Sequence, residues 1–399
     1  MSGPGRPAGV DALHGEYVGL GPLDEFPIHQ LPRPVAWAGS SDRNFYDRCY
    51  LNAHDRTGDL FLITGLGFYP NLGTKDAFVL LSRDVEGRRE QTALHLGDAA
   101  DPRGADRMAQ QVGAYRIEVV EPLRTLRLVL EETEGIALDL TWRGSFDVVQ
   151  ELPHVMRQGA NTILDAQRFA QVGTWEGTIS VDGSDRAVTP DTWVGTRDRS
   201  WGIRPVGETV APGKPADPVF EGMWWLYVPM RFEDFCVVLI IQETPDGYRT
   251  LNDCTRTFAD GRVEQLGWPR VRIRYAPGTR VPTGATIVCT TPAGEELVLE
   301  VTSKRAVPIH VGGGYGGDPD WTHGVWRGAG FVERRTYDLA DPAVAGRIPF
   351  GVIDHVGHAV AHGPGADGVG DVEGWGLFEH GALGRHDPSG FADWFDTAP

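Results

Sequence analysis

Lysine is almost missing from this chain of 399 residues: Lys75, Lys214 and Lys304 stand alone among 37 basic side chains, against 55 Asp and Glu. The net charge of −18 opposes nucleic-acid binding, because that affinity rests largely on Lys and Arg releasing counterions from phosphates. It equally opposes adhesion to anionic lipid. Long hydrophobic runs are lacking too. Phe235–Ile241 is the longest, far short of the roughly 20 residues that a membrane-spanning helix needs. The opening Met1-Ser-Gly-Pro-Gly-Arg-Pro-Ala has no apolar core of the signal-peptide kind, so the expectation is a cytoplasmic protein without nucleic-acid partner or membrane insertion. Cysteine is sparse: Cys49, Cys236, Cys254 and Cys289 lie far apart with no C-x-x-C pair, and free thiols are expected.

Catalytic signatures of several large classes are also absent. There is no G-x-S-x-G nucleophile elbow and no H-E-x-x-H zinc motif. The glycine run Gly312–Gly317 lacks the G-K-[ST] ending and following helix of a phosphate loop, and reads as a flexible loop or lid. Neither cofactor nor metal is expected.

What the chain does have is alternation. Tyr115, Ile117 and Val119, then Leu126, Leu128 and Leu130, then Ile136, Leu138, Leu140 and Trp142 each recur at spacing two, placing one face of a strand on a core. The second half repeats this with Trp225, Tyr227 and Pro229, with Val271, Ile273 and Tyr275, and with Leu297, Leu299 and Val301. Phe235–Ile241 reads as a strand covered on both faces. Asp182-Gly183, Asp246-Gly247 and Asp260-Gly261 supply hairpin turns. One helix is expected, over Asn161–Ala170, with Asn161 as its cap. The fold class is therefore mainly β, built as barrels or sandwiches.

An internal repeat suggests two related domains. Gly173-Thr-Trp175-Glu-Gly177 and Gly324-Val-Trp326-Arg-Gly328 share G-x-W-x-G, and each precedes a G-x-x-D, Gly195–Asp198 and Gly351–Asp354. The Pro/Gly-rich stretch 206–218 reads as the linker, giving domains 1–205 and 219–399.

Three clusters carry candidate chemistry. Gly195–Arg204 packs three arginines, Asp198 and Trp201 together. Neighbouring arginines would lower the Asp198 pKa and suit a structural anion, whereas burial would raise it and suit an acid; both outcomes stay open. Gly374–Gly381 combines Trp375, Phe378, Glu379 and His380, of which only one of the adjacent pair Glu379 and His380 can face a given side of a strand. His355, His358 and His362 are a third, metal-hydrolase possibility, but on a strand His355 and His358 point apart. Phe68, Tyr69 and Asn71, following the strand Leu60–Ile63, are placed at a pocket mouth.

At Asp198-Arg199-Ser200-Trp201-Gly202 the chain resembles the D-H-x-W-G signature of the AttH and hydroxyneurosporene-synthase (carotenoid 1,2-hydratase) superfamily. Gly222-Met-Trp224-Trp225-Leu-Tyr227, followed by Phe232-Glu-Asp-Phe, is similar to the aromatic strand after that signature. Over nearly its full length it resembles bacterial relatives of unassigned function carrying Gly195–Arg204 and Glu373–His380. The resemblance implies tandem lipocalin-like β-barrel or β-sandwich domains and a cofactor-independent lyase or isomerase, of hydratase or cyclase type. Its substrate would be bulky and hydrophobic: an isoprenoid, steroid or polyketide. Asp198 matches the signature Asp, the expected proton donor, and Trp201 the signature Trp; Arg199 replaces the His, and arginine cannot shuttle protons near neutral pH. The expected catalytic set is Asp198 with Glu379 or His380. The expected substrate-binding set is Trp201, Trp225, Tyr227, Phe68, Tyr69, Asn71, Trp375 and Phe378. The rival expectation is a carrier that binds a lipophilic small molecule without transforming it. Monomer and homodimer are both compatible with the sequence.

Overall fold

The computed structural model describes residues 32, 34–100, 108–209, 220–364 and 371–399. The opening residues and 210–218 of the expected linker therefore lie outside the described residues. The first half runs β1 (Phe45–His54), β2 (Leu60–Tyr69), β3 (Thr74–Val85), β4 (Arg88–Ala99), β5 (Gln110–Val112), β6 (Tyr115–Glu121), β7 (Thr125–Thr133), β8 (Ile136–Gly144), β9 (Val149–Gln150), β10 (His154–Gln158), β11 (Asn161–Val181), β12 (Ser184–Val188) and β13 (Val194–Ile203). The second runs β14 (Gly222–Arg231), β15 (Phe235–Glu243), β16 (Arg249–Phe258), β17 (Val263–Gln265), β18 (Arg270–Tyr275), β19 (Pro282–Thr290), β20 (Glu296–Pro308), β21 (Phe331–Asp338), β22 (Ile353–His362) and β23 (Val372–Gly384).

Two curled antiparallel sheets form from these, in tandem barrel style with few helices. Among the described residues the first follows the order β21-β4-β3-β2-β1-β13-β11-β8-β7-β6-β5, and the second β17-β16-β15-β14-β23-β22-β20-β19-β18. The orders superpose: in each, a meander's first strand (β1 or β14) is closed by the half's last strand (β13 or β23), which pairs with β11 or β22. One exchange crosses the halves, since β21 pairs with β4.

Three large apolar layers lie among the described residues, beside two small clusters around Tyr46 and Phe146. One fills the first barrel around Leu51, Leu62, Leu128, Trp142 and Trp175; another fills the second around Leu239, Ile287, Leu299 and Phe378. The third lies between them and joins Phe61, Ile63, Phe78 and Leu80 to Tyr227, Val238 and Ile240. That middle layer explains β2 and β15, whose largely apolar sequences are buried on both faces: one face serves a barrel, the other the seam.

Two expectations are corrected here. Asn161–Ala170 is not a helix but the first part of a 21-residue strand, because β10 and β13 pair with it on both edges and satisfy its backbone, overriding weak local propensity. The G-x-W-x-G repeat is also misplaced: Gly173–Gly177 lies inside β11 with Trp175 buried, whereas Gly324–Gly328 is loop and Trp326 is 48% exposed. Strand register supplies the true equivalence. Tyr50 pairs with Asp198 and Tyr227 with Glu379; next door, Ala170 pairs with Asp198 and Asp354 with Glu379. So Gly195-Thr-Arg-Asp198 corresponds to Gly376-Leu-Phe-Glu379, and the counterpart of Asp354 is Ala170.

Candidate functional site

A cavity of about 260 Å³ opens at the seam between the barrels. Its first wall comes from alternate residues of neighbouring strands: Tyr46, Arg48 and Tyr50 on β1, Asp198 and Ser200 on β13, and Leu164, Ala166 and Arg168 on β11. The period of two is what puts these side chains on one face. The facing wall has Met223 and Trp225 on β14 and Glu379 and Leu383 on β23. Tyr315 and Gly316 cover one side.

Carboxyl groups that resist ionisation line the cavity (Asp198, Glu379) and stand behind its wall (Asp354, Glu151). Asp354, fully buried beside Glu379 on the paired strand, accepts a hydrogen bond from Tyr50 Oη at its Oδ2, 2.5 Å away. Its Oδ1 meets no protein donor among the described residues. Burial first, and then the Glu379 charge, holds Asp354 well above the usual carboxylate range. Burial pushes Glu379 up to about 7, against the Trp225 hydrogen bond and the Arg168 charge. Trp225 Nε1 donates to Glu379 Oε1 at 2.5 Å. Asp198 is raised too, by burial, although Arg168, Arg48, Arg204 and Arg197 all pull it down. Beneath Arg168 lies Glu151, which accepts from Arg168 Nε and is pushed by burial to about 7. Arg168 also sits over the Tyr227 ring, 4.7 Å from its centroid. Arg48 and Arg204, which line the cavity, form no ion pair among the described residues; Arg48 lies 4.7 Å from the Tyr315 ring centroid and Arg204 5.4 Å from that of Tyr46.

Of the residues expected from sequence, Asp198, Glu379 and Trp225 line this cavity. Tyr227 stands just behind it, buried, its hydroxyl without a partner; the equivalent of its missing acceptor is Ala170. The others lie elsewhere. Alternation along β23 turns His380 and Phe378 into the second barrel. There His380 Nδ1 donates to the Trp225 carbonyl (2.6 Å), its Nε2 accepts from Tyr275 Oη (2.8 Å), and burial holds the imidazole down at about 3. Trp375 packs against His358 and His54. Trp201 is 38% exposed, its ring centroid 6.5 Å from that of Phe169 and outside the cavity lining. Phe68 packs on the first barrel's core; Tyr69 is buried and donates to Asp76 (3.0 Å); exposed Asn71 braces the carbonyls of Ser40 and Asp42. On β22, His355 and His358 point to opposite faces, and among the described residues no three His, Cys, Asp or Glu are placed to hold a metal.

The glycine run is a strap, not a free lid. Asp318 Oδ2 accepts from the Gly312 and Gly314 amides (2.6 and 3.1 Å), Gln91 Nε2 donates to the Val311 carbonyl (2.5 Å), and His95 Nε2 donates to that of Gly312 (2.7 Å). Positive φ at Gly312, Gly314, Gly316 and Gly317 is why glycine recurs there.

Tyr50, Asp354, Glu151, Arg168, Arg48 and Arg204 were not singled out from the sequence as site residues. One signal was present: a glycine three residues before an acid, at Asp198, Asp354 and Glu379.

Comparison with known proteins adds a family and a fold. A family model described as a family of unknown function (DUF8625) matches residues 20–392. An AttH protein from Nitrosomonas europaea, 14% identical, covers 89% of this chain and 97% of its own with a TM-score of 0.50, so the AttH-like fold is shared. Kievitone hydratase from Nectria haematococca (12% identity, covering 87% and 89%, TM-score 0.45) and CghA (11%, 86% and 89%, 0.47) are also similar. No curated protein matches by sequence.

Proposed function

The chain belongs to the DUF8625 family, and we propose that it is an acid–base lyase or isomerase acting on a bulky, largely apolar substrate in the cavity between its barrels. The observation that carries this reading is the pair Glu379–Asp354, two buried carboxyls on adjacent strands with raised pKa values, of which Glu379 lines the cavity that Asp198 lines from the other barrel. An acid poised near the working pH is the effective proton donor. Glu379 gives its proton to an unsaturated carbon, with Asp354 behind it as the partner that shares the charge. Asp198, surrounded by arginines, takes a proton: from water adding to the substrate, or from an adjacent carbon if the double bond moves. This reverses the expectation that Asp198 is the donor.

Three guanidiniums, Arg48, Arg168 and Arg204, line the same cavity. They would disfavour an isolated carbocation and favour charge developing on oxygen. The substrate class is therefore a double bond conjugated to a carbonyl, as in a polyketide or enone, with the oxygen toward Arg48 and Arg204 and the apolar part along Leu164, Met223 and Leu383.

The test is incubation in heavy water with a panel of conjugated polyenes, enones, terpenoids, prenylated phenols and steroids, read by mass spectrometry, beside Glu379→Gln and Asp198→Asn. Added water or solvent deuterium on carbon, lost in both variants, supports the assignment. Turnover that survives Glu379→Gln overturns the donor. Compounds retained by the wild type but never changed would make the protein a carrier.

A further inference from the structure

The side of β13 that faces away from the catalytic cavity carries Arg197, and its surroundings differ from its counterpart's. By the register above, Arg197 corresponds to Phe378, a fully buried filler of the second barrel. In the first barrel the same slot is hollow: a cavity of about 180 Å³ is lined by Cys49, Leu51, Ile117, Leu126 and Phe169, with Arg197 among them. Asp198 and Arg199 border it as well, Arg199 being paired with Asp47 at 2.9 Å.

Arg197 is only 7% exposed, yet among the described residues it makes no ion pair, and its Nη2 has no acceptor. Its neutral partners are Gln171, whose Oε1 accepts from Arg197 Nε at 2.8 Å, and the Phe169 ring, whose centroid is 5.3 Å from the guanidinium. Gln171 is itself fixed by donating to the carbonyls of Leu123 and Phe146, both at 2.8 Å. A buried guanidinium without a counter-ion is costly, and burial pushes this one down to about 10. The mouth is apolar and exposed: Val119 is 44% and Leu123 49% exposed, and Leu123 keeps a left-handed φ of 62° in the turn that Gln171 holds.

We propose that the first barrel contains a second binding site, for a medium-chain apolar carboxylate whose head pairs with Arg197 and whose tail lies along Leu51, Ile117 and Leu126 toward Val119. The site is separate from the catalytic reading and does not depend on it.

Titration calorimetry of the full chain with octanoate and 1-octanol tests this. Octanoate binds, and 1-octanol binds about tenfold or more weakly, because only the carboxylate makes a charge-assisted hydrogen bond. Arg197→Met weakens octanoate by a similar factor, Arg197→Lys restores part of it, and Val119→Trp, which plugs the mouth from an exposed position, also weakens it. Leu164→Trp, in the catalytic cavity, leaves it unchanged. The proposal is overturned if octanoate does not bind, if octanol binds equally well, if Arg197→Met binds like the wild type, or if Leu164→Trp rather than Val119→Trp abolishes binding.

Discussion

Tyr50 Oη reaches across the seam to donate to Asp354 Oδ2 at 2.5 Å, while its counterpart Tyr227 has no partner for its hydroxyl. The asymmetry follows from one position, Asp354 on β22 against Ala170 on β11. Tyr50→Phe should lower unfolding free energy by about 1–3 kcal/mol, since a buried carboxyl loses its donor. Tyr227→Phe should cost less than about 1 kcal/mol or stabilise, because nothing is broken and a buried orphan hydroxyl disappears. Urea denaturation of the two variants checks the contrast; equal losses would contradict it.

Stability should peak near pH 6.5. Burial holds His54, His154 and His323 down at about 4 and His355 and His380 at about 3. The unfolded chain therefore binds more protons below pH 6.5, and stability falls on acidification. Glu151 and Glu379, raised to about 7, and Asp354 and Asp198, raised by burial, act oppositely. The folded state keeps their protons above pH 4.5, so their contribution is lost as pH rises through 7. Each group contributes a slope of about 1.4 kcal/mol per pH unit at most; with His95, His310 and His358 also lowered, eight histidines outnumber four raised carboxyls below 6.5, and the histidines no longer act above it. Glu379→Gln should flatten the alkaline side in denaturation measured from pH 4 to 9. A wild type that keeps gaining stability up to pH 9 would contradict the raised carboxyls.

Trp225→Phe removes the indole N–H that stabilises ionised Glu379. The Glu379 pKa then rises further, and the alkaline limb of the activity profile moves up by as much as about one pH unit. An unmoved limb would separate Glu379 from that limb.

Glu379→Gln and Asp198→Asn should each lower turnover by about 10²–10⁴-fold, the range for loss of a positioned acid or base. Trp201→Ala should leave both turnover and substrate affinity unchanged, since Trp201 does not line the cavity. Single-turnover rates with the substrate found in heavy water distinguish the three.

Gly195 and Gly376 occupy equivalent places three residues before the two cavity acids. A Cβ at Gly195 would lie 1.9 Å from the Asn52 carbonyl oxygen, and one at Gly376 2.1 Å from that of Pro229. Neither backbone can yield cheaply, so each Gly→Ala change should destabilise by about 3 kcal/mol or more. Thermal unfolding of the two variants measures it.

The strand faces were legible because burial on a sheet imposes a period of two that Leu126–Leu130, Ile136–Trp142 and Leu297–Val301 obey. The Asp-Gly turns were legible because positive φ is a local demand: Gly183, Gly247 and Gly261 all meet it. Asn161–Ala170 was not legible, since its strand conformation depends on hydrogen bonds from β10 and β13, distant partners that local propensity does not encode.

The candidate site divides in the same way. Asp198, Glu379 and Trp225 stood out because acids and aromatics cluster around them in sequence, and spacing alone required that His380 and Glu379 point apart. Which of the two lined the cavity, and that Tyr50 and Asp354, more than 300 residues apart, share one hydrogen bond, depended on how two curled sheets meet. Alternation, turns and composition are local and therefore written in the chain: they determined a mainly β tandem fold with acids near aromatic strands. Desolvation, the side-by-side burial of Glu379 and Asp354, and an Arg197 without a counter-ion arise from which faces are pressed together, and only the tertiary structure decided those.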